Sequence, residues 1–326
     1  MTFSTSLALL FLATTLEPSP TAIRGSVEKA LPLLKAAAET HAEKKSCFAC
    51  HNQAYPMVAF DAACKLGFAM DEELRSAQVD HVREFVKKNR KEFDKGTGTG
   101  GQIDTAGWLL YTLEFAGEKP DDDTAAVAGY VLQRHADRKH WTTSSNRPPT
   151  QMSSFTSSYL AVRALKAWGT EKQKDAIANR SAAALAWAVQ TPAKENEDRV
   201  YRLRLLHIAG ATESVTKEAV RELLDAQQFD GGWAQKSDLP SDAYATATAL
   251  AALSAVDTEA VQQLAYRRGV NYLLRTQLAD GSWHVKTRSP VIQPYYESGF
   301  PHEKDQFISV TATSWAVVAL AAAWRE

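Results

Sequence analysis

Hydrophobic and polar positions recur with a helical period along nearly the whole chain, and they fall into two alternating kinds. Segments 26–42, 72–93, 121–136, 171–190, 216–227 and 258–276 are charged and amphipathic. One apolar stripe opposite a solvated face predicts outer helices. Segments 53–67, 103–117, 154–169, 199–210, 243–254 and 308–323 are apolar or small nearly all round, which predicts helices buried on both sides. The first four of these end at Gly67, Gly117, Gly169 and Gly210, a spacing of about 40–50 residues that fits one helical hairpin per repeat. Six outer/inner pairs predict a single all-α domain over 23–326. The pairs either close into a ring around a central cavity or stack into an open superhelix.

Composition narrows the class. Lys and Arg number 37 against 38 Asp and Glu, so the chain carries no electrostatic case for nucleic acid. Three cysteines exclude a disulfide-stapled scaffold. No run reaches the roughly 18–20 apolar residues of a transmembrane helix. The apolar run 7–13, followed by the polar, Pro-containing stretch 14–22, predicts a signal segment over 1–22 and a periplasmic or otherwise exported protein, although a basic n-region is missing. A frayed first helix or a mis-assigned start is the plainer reading of the same residues.

Two segments share a signature at the end of an outer helix, Gln227 to Trp233 and Gln277 to Trp283, both reading Q-x-x-x-G-x-W. Gln is expected to cap helix C-terminal carbonyls, Asp-Gly to form the turn, and Trp to pack over the next hairpin. Trp141 sits in the equivalent place, with His135 and Lys139 where the motif has Gln and Gly. These QW motifs and the alternating helices resemble the squalene–hopene cyclase and prenyltransferase α/α toroid superfamily. The resemblance covers roughly residues 26–326 and is strongest from Arg221 onward, which looks like a squalene-cyclase C-terminal domain. It implies closure into a toroid and leaves the chemistry open. The superfamily's D-x-D-D acid motif has its nearest match at Asp121, Asp122 and Asp123, behind Pro120 instead of Asp, where the run opens an outer helix and reads as capping. Its Asp-Cys-His zinc set would use Asp242 with His302 or His284, but Tyr244 stands at the cysteine position.

The motif that carries chemistry is Cys47-Phe48-Ala49-Cys50-His51, a C-x-x-C-H. This is the attachment signature of c-type haem: two thiols add to the vinyl groups and the histidine is the proximal iron ligand. A redox thiol pair, a zinc site or a structural disulfide are alternatives for the same cysteines. The combination resembles toroid proteins of uncharacterised function that join such a segment to this domain. The motif directly precedes the first inner helix, so a haem is expected at the end of the toroid where outer helices turn into inner ones. Met57 lies too close along the chain to reach the opposite haem face. The insertion 289–305 is therefore expected to cover that face with Tyr295, Tyr296 and Phe300, and His302 is the expected distal ligand, with His284 and His140 next. Arg288 and Lys286 are candidates for the propionates. Cys64 is expected to be a buried, inert thiol. Trp108, Tyr111, Phe115, Phe155, Tyr159, Tyr244 and Trp315 are expected to line the central cavity or to pack within it.

Three function classes follow from the sequence. The first is electron transfer by an exported haem protein with an unidentified redox partner. The second is a haem-dependent or terpenoid-related enzyme acting on an apolar small molecule in the central cavity. The third is a ligand-binding or scaffolding toroid without catalysis.

Overall fold

The computed structural model describes residues 17–257, 259–291 and 294–325; most of the 1–22 segment lies outside them. Among the described residues twelve α-helices form six hairpins: α1 (Pro20–Lys44) with α2 (Tyr55–Cys64), α3 (Glu72–Asp94) with α4 (Gln102–Phe115), α5 (Asp122–Gln133) with α6 (Ser154–Trp168), α7 (Lys174–Gln190) with α8 (Asn196–Ala209), α9 (Glu213–Asp225) with α10 (Ala243–Val256), and α11 (Leu264–Thr276) with α12 (Gln306–Ala323). The even-numbered helices pack in order around the axis, and α12 packs against both α10 and α2, so the inner ring is closed. The odd-numbered helices form the outer layer. This is the all-α toroid, and the open superhelix is excluded. The boundary expected at residue 23 falls inside α1, which starts at Pro20 behind the N-cap Ser19. Segment 303–323 is, contrary to the expectation from sequence, long and apolar enough to cross a membrane, but it is mostly buried in the ring, as a core helix is.

Each Trp of the QW type does the same work. The indole N–H of Trp141, Trp233 and Trp283 donates to the carbonyl ten residues earlier, that of Val131, Leu223 and Leu273, at 2.9, 2.7 and 2.9 Å. The backbone N–H of each donates to a hydroxyl on the next inner helix, Ser158, Thr246 or Thr313. The Trp, and not the Gln as expected, therefore caps the outer helix. The Gln reaches the neighbouring hairpin: Gln227 donates to the Ala265 carbonyl at 2.7 Å, and Gln277 to that of Ser26 at 2.8 Å. The second contact joins the last outer helix to the first. The degenerate copy replaces this bridge with Arg180, which stacks on Trp141 at 4.0 Å and donates to the carbonyls of Arg134, His135 and Arg138.

The interior of the ring is filled with side chains. Tyr55, Trp108, Tyr201, Tyr244 and Trp315 are at most 1% exposed, and Tyr55 packs on Trp108 with ring centres 4.4 Å apart. Of the two readings of the inner aromatics, packing prevails. Glu197 is buried among them and accepts from the Tyr244 hydroxyl at 2.8 Å and the Thr156 hydroxyl at 3.0 Å. Burial pushes its carboxyl up to about 8, and these two hydrogen bonds offset part of that rise.

Gly281 and Gly231 both sit at positive φ, and a Cβ on either would meet the backbone of the adjoining outer helix, at the Lys29 carbonyl for Gly281 and 2.9 Å from the Arg268 carbonyl oxygen for Gly231. Gly281→Ala meets the tighter contact and should lower stability by about 2 kcal/mol or more, exceeding Gly231→Ala, as read from urea midpoints. A carboxyl with its folded pKa above its unfolded value stabilises the fold at low pH, and that contribution declines as pH rises from about 4.5 to about 8. Glu197→Gln removes the dependence, so its urea midpoint should fall less steeply than the wild type's across that window. Parallel curves would refute a neutral Glu197.

Candidate functional site

The connections at the two ends of the toroid are unequal. Those leading from inner to outer helices are short, whereas those from outer to inner include 134–153, 226–242 and 277–305. The long segments gather at one end, the mouth, together with the 45–49 loop. There the 45–49 loop and the 134–153 and 277–305 segments enclose a cavity of about 440 Å³, within the roughly 300–1,000 Å³ of small-molecule pockets.

Cys47, Cys50 and His51 all line this cavity. Ala49 is extended, and a π-helical turn at Cys50–Ala54 then leads into α2; such widened turns recur at functional sites. The Gln53 side chain accepts from the Ala49 N–H at 2.9 Å and fixes the start of the turn. Cys50 is buried, His51 half-buried and Cys47 exposed, and all three cysteines of the chain are free thiols. Burial pushes the Cys50 thiol up to about 12. Burial, with Arg147 adding to it, pushes His51 down to about 3, so its imidazole is neutral at any working pH, the form that binds metals.

The rest of the wall comes from four elements, one of them the start of α4 with the loop before it, which gives Gly100, Gly101 and Thr105. The 134–153 segment gives Arg147, Pro148 and Gln151, whose amide nitrogen lies 3.8 Å from Cys50 Sγ. The 287–308 stretch gives Tyr295, Tyr296, Lys304 and Phe307, and the Phe307 ring lies 5.8 Å from that of His51. The end of α1 gives His41 and Lys45. His41 is buried, with Nδ1 2.9 Å from the Tyr296 hydroxyl and Nε2 2.8 Å from the Cys47 carbonyl oxygen. Burial lowers its pKa. Beneath the mouth, Asp104 accepts from the hydroxyls of Ser157 at 2.6 Å and Thr143 at 2.5 Å. Burial raises its carboxyl, and these two hydrogen bonds, with Arg147 behind them, pull it partly back.

The structure does not bring every sequence-predicted residue here. His302, the expected distal ligand, lines no part of the cavity: its Nε2 is 2.7 Å from the Ser282 hydroxyl, and its ring stacks on His284 at 4.5 Å. His284 is paired with Asp305 at 2.8 Å, and His140 stacks on Trp187 at 4.0 Å. Met57 is buried in α2, and Phe300 is buried outside the cavity wall. Arg288 is engaged by Gln235 at 3.0 Å and Glu195 at 3.4 Å, and Lys286 is exposed. The cations at the cavity are instead Lys45, Arg147 and Lys304. Cys64 is exposed at the end of α2, against the expectation of burial, because it falls on the last turn of the helix.

Neither superfamily site is assembled. Asp121 caps α5 and pairs with Arg83 at 2.5 Å, while Asp123 pairs with Arg90 at 2.7 Å. Asp242 caps α10 through the Ala245 N–H at 2.9 Å; burial pushes it up to about 6. Among the described residues no group of three His, Cys, Asp or Glu side chains is placed to hold a bare metal ion. A haem iron needs only one protein ligand on the proximal side, and the wall supplies the groups for such a cofactor: two free thiols, a neutral imidazole, cations for carboxylates and aromatic rings.

No family model and no curated protein matches the chain. Solved structures do. The type II terpene cyclase MstE from Scytonema, without ligand, matches with a TM-score of 0.61 and 14% identity over 93% of this chain and 98% of that one. A variant of the same cyclase, in complex with its substrate geranylgeranyl dihydroxybenzoate, matches with a TM-score of 0.59 and 16% identity over 92% and 98%. A protein from Actinoplanes matches with a TM-score of 0.57 and 14% identity over 90% and 99%. The chain thus has the fold of the squalene-cyclase-like toroids.

Proposed function

We propose that this protein carries one covalent c-type haem at the mouth of the toroid, attached through Cys47 and Cys50 with His51 as proximal ligand, and that it exchanges single electrons with a redox partner there. The observation that carries the reading is the convergence of both thiols and the neutral imidazole on one cavity ringed by Lys45, Arg147 and Lys304. When bound, the group supplies a one-electron iron couple tuned by its surroundings. The chain's own residues hold and shield it. Gln53 fixes the turn that presents Cys50 and His51, and the three cations neutralise the propionates. Phe48, Tyr296 and Phe307 exclude water from the cavity. Haem c is attached outside the cytoplasm, so the reading entails export, in keeping with the apolar run at 7–13.

A second reading rests on the position of His302. With that side chain held by Ser282 and His284, the cavity is without the expected distal ligand, and an open iron position suits binding or conversion of an apolar small molecule. Cyclisation of a terpenoid in the centre of the ring has less support: the interior is packed with aromatic side chains and the acidic run at 121–123 is spent on capping and ion pairs.

The test is the absorption spectrum of protein exported by a host with haem-attachment machinery. A covalent haem that survives acid–acetone extraction is expected, and it should be lost from the Cys47→Ser/Cys50→Ser double variant. A low-spin reduced spectrum supports electron transfer, with His41 then the imidazole on the cavity wall to examine. A high-spin spectrum that shifts with carbon monoxide supports the second reading. A folded, haem-free product from a competent host would overturn both.

A further inference from the structure

Of the three cations on the wall of the mouth cavity, Arg147 is half-buried, and Lys45 and Lys304 are exposed. Lys45 already lies over the Tyr296 ring, 4.6 Å from its centre. The Arg147 backbone is fixed by a pair of hydrogen bonds with that of Gln151, at 3.0 and 2.9 Å. Its guanidinium, among the described residues, makes no hydrogen bond and no ion pair. Its charge bears on Cys50 and His51 of the same wall and on Asp104 beneath it. Asp104 does not pair with it, because both carboxylate oxygens accept from hydroxyls, those of Ser157 and Thr143. A half-buried guanidinium left in this state has given up hydration and gained no partner for it.

Two further features of the wall suit an anion beside Arg147. The first is the start of α4: its N-cap is Gly101, which offers no capping side chain, so the positive end of the helix dipole is free. Gly100 and Gly101 both line the cavity, and without side chains they let a ligand approach the backbone. The second is a pair of buried polar groups. Thr150 and Gln151 line the cavity and are 4% and 6% exposed. Among the described residues neither the Thr150 hydroxyl nor the Gln151 amide oxygen has a partner. Buried polar groups without partners on a cavity wall call for a ligand or a water. Much of the remaining wall is apolar, with Phe48, Pro290, Val291, Phe307 and Ile308.

We propose that the Arg147 corner of the mouth cavity is a carboxylate-binding subsite, in which the guanidinium, the Thr150 hydroxyl and the N-terminus of α4 hold the carboxylate of an amphipathic acid. The hydrocarbon part of the acid lies against the apolar wall, in a cavity whose 440 Å³ has room for a medium-length chain. The planar guanidinium matches a carboxylate fork to fork, and one cation matches its single charge better than a phosphate's two. The carboxylate has two possible sources, a propionate of the haem or a free acid. The inference deepens the reading of the mouth as a ligand cavity, but it does not require the haem.

Calorimetric titration of octanoate into the full chain, produced without haem attachment, tests the subsite. Saturable one-to-one binding is expected, with octanol weaker by about tenfold or more because it lacks the charge. Arg147→Gln should weaken octanoate about 10–100-fold, whereas Lys304→Gln on the exposed rim should change it by about threefold at most. Should Arg147→Gln fail to fold, Thr150→Val takes its place, with an expected loss of about fivefold. The exported, haem-bearing protein separates the two sources. Octanoate that no longer binds there means that a propionate fills the subsite, and octanoate that still binds means that a free acid does; either result supports the subsite. An exported protein without haem overturns the haem reading alone. No saturable binding to the haem-free chain, octanol binding as tightly as octanoate, or undiminished binding by a folded Arg147→Gln (failing that, by Thr150→Val) would each overturn the subsite. Equal losses from Arg147→Gln and Lys304→Gln would do the same, by reducing the effect to unspecific charge.

Discussion

The contact on which the rest of this structure depends is the one that closes it. A ring of hairpins gains its inner core only if the last hairpin meets the first. Here α12 packs on α2, and the outer layer meets through one side-chain amide and a close backbone approach. The Gln277 amide donates to the Ser26 carbonyl and accepts from the Ser26 hydroxyl at 2.8 Å, while Gly281 leaves room for the Lys29 backbone. Glycine serves there twice, by tolerating φ +93 and by lacking a Cβ. Once the ring is closed, α12 is covered on both flanks, which is why a helix with the length and hydropathy of a membrane span sits in a core instead.

Closure also decides where chemistry can occur. The inner helices bring large rings to the axis, and these rings touch, so the centre is a packed interior and not an open chamber. The backbone that passes from outer to inner helices has no such constraint and is long enough to enclose space. A toroid of this fold can therefore gather two thiols and an imidazole around a cavity at the mouth while its middle is packed. The likeness to MstE is one of scaffold, and the residues at the two places differ in kind from an acid-motif cyclase site.

How much of this was legible in the sequence follows from what each feature depends on. The twelve helices were legible because burial on one side or two writes itself into periodicity; the expected 72–93 and 243–254 are α3 and α10 to within two residues. The clustering of Cys47, Cys50 and His51 followed from adjacency in the chain. His41, Arg147 and Lys304 were missed, because they reach the cavity across separations of up to about 250 residues along the chain, and nothing local marks an ordinary His, Arg or Lys as a wall residue. The one available signal was the non-helical, Pro-containing gap at 134–153, which is too long for a plain connection. His302 was misplaced for the complementary reason: a histidine in a functional loop looks like a ligand until its hydrogen-bond partner is seen.

The partner of His302 points to a second role for the QW turns. Ser282 lies between the Gly and Trp of the second motif, and it holds His302 of the mouth segment. Asp305, at the start of α12, receives the Thr287 N–H at 2.9 Å and pairs with His284, the residue after the motif's Trp. Arg288 ties the same segment to Gln235, two residues past the first motif's Trp, and to Glu195 at the head of α8. The turn that closes the scaffold is thus the anchor of the segment that covers the cavity. A long loop held at several points by buried or half-buried hydrogen bonds loses much of its freedom before any ligand arrives, so little ordering entropy remains to oppose binding. The motif that marks the fold and the loop that shapes the site are thus joined by hydrogen bonds at Ser282–His302, His284–Asp305 and Thr287–Asp305.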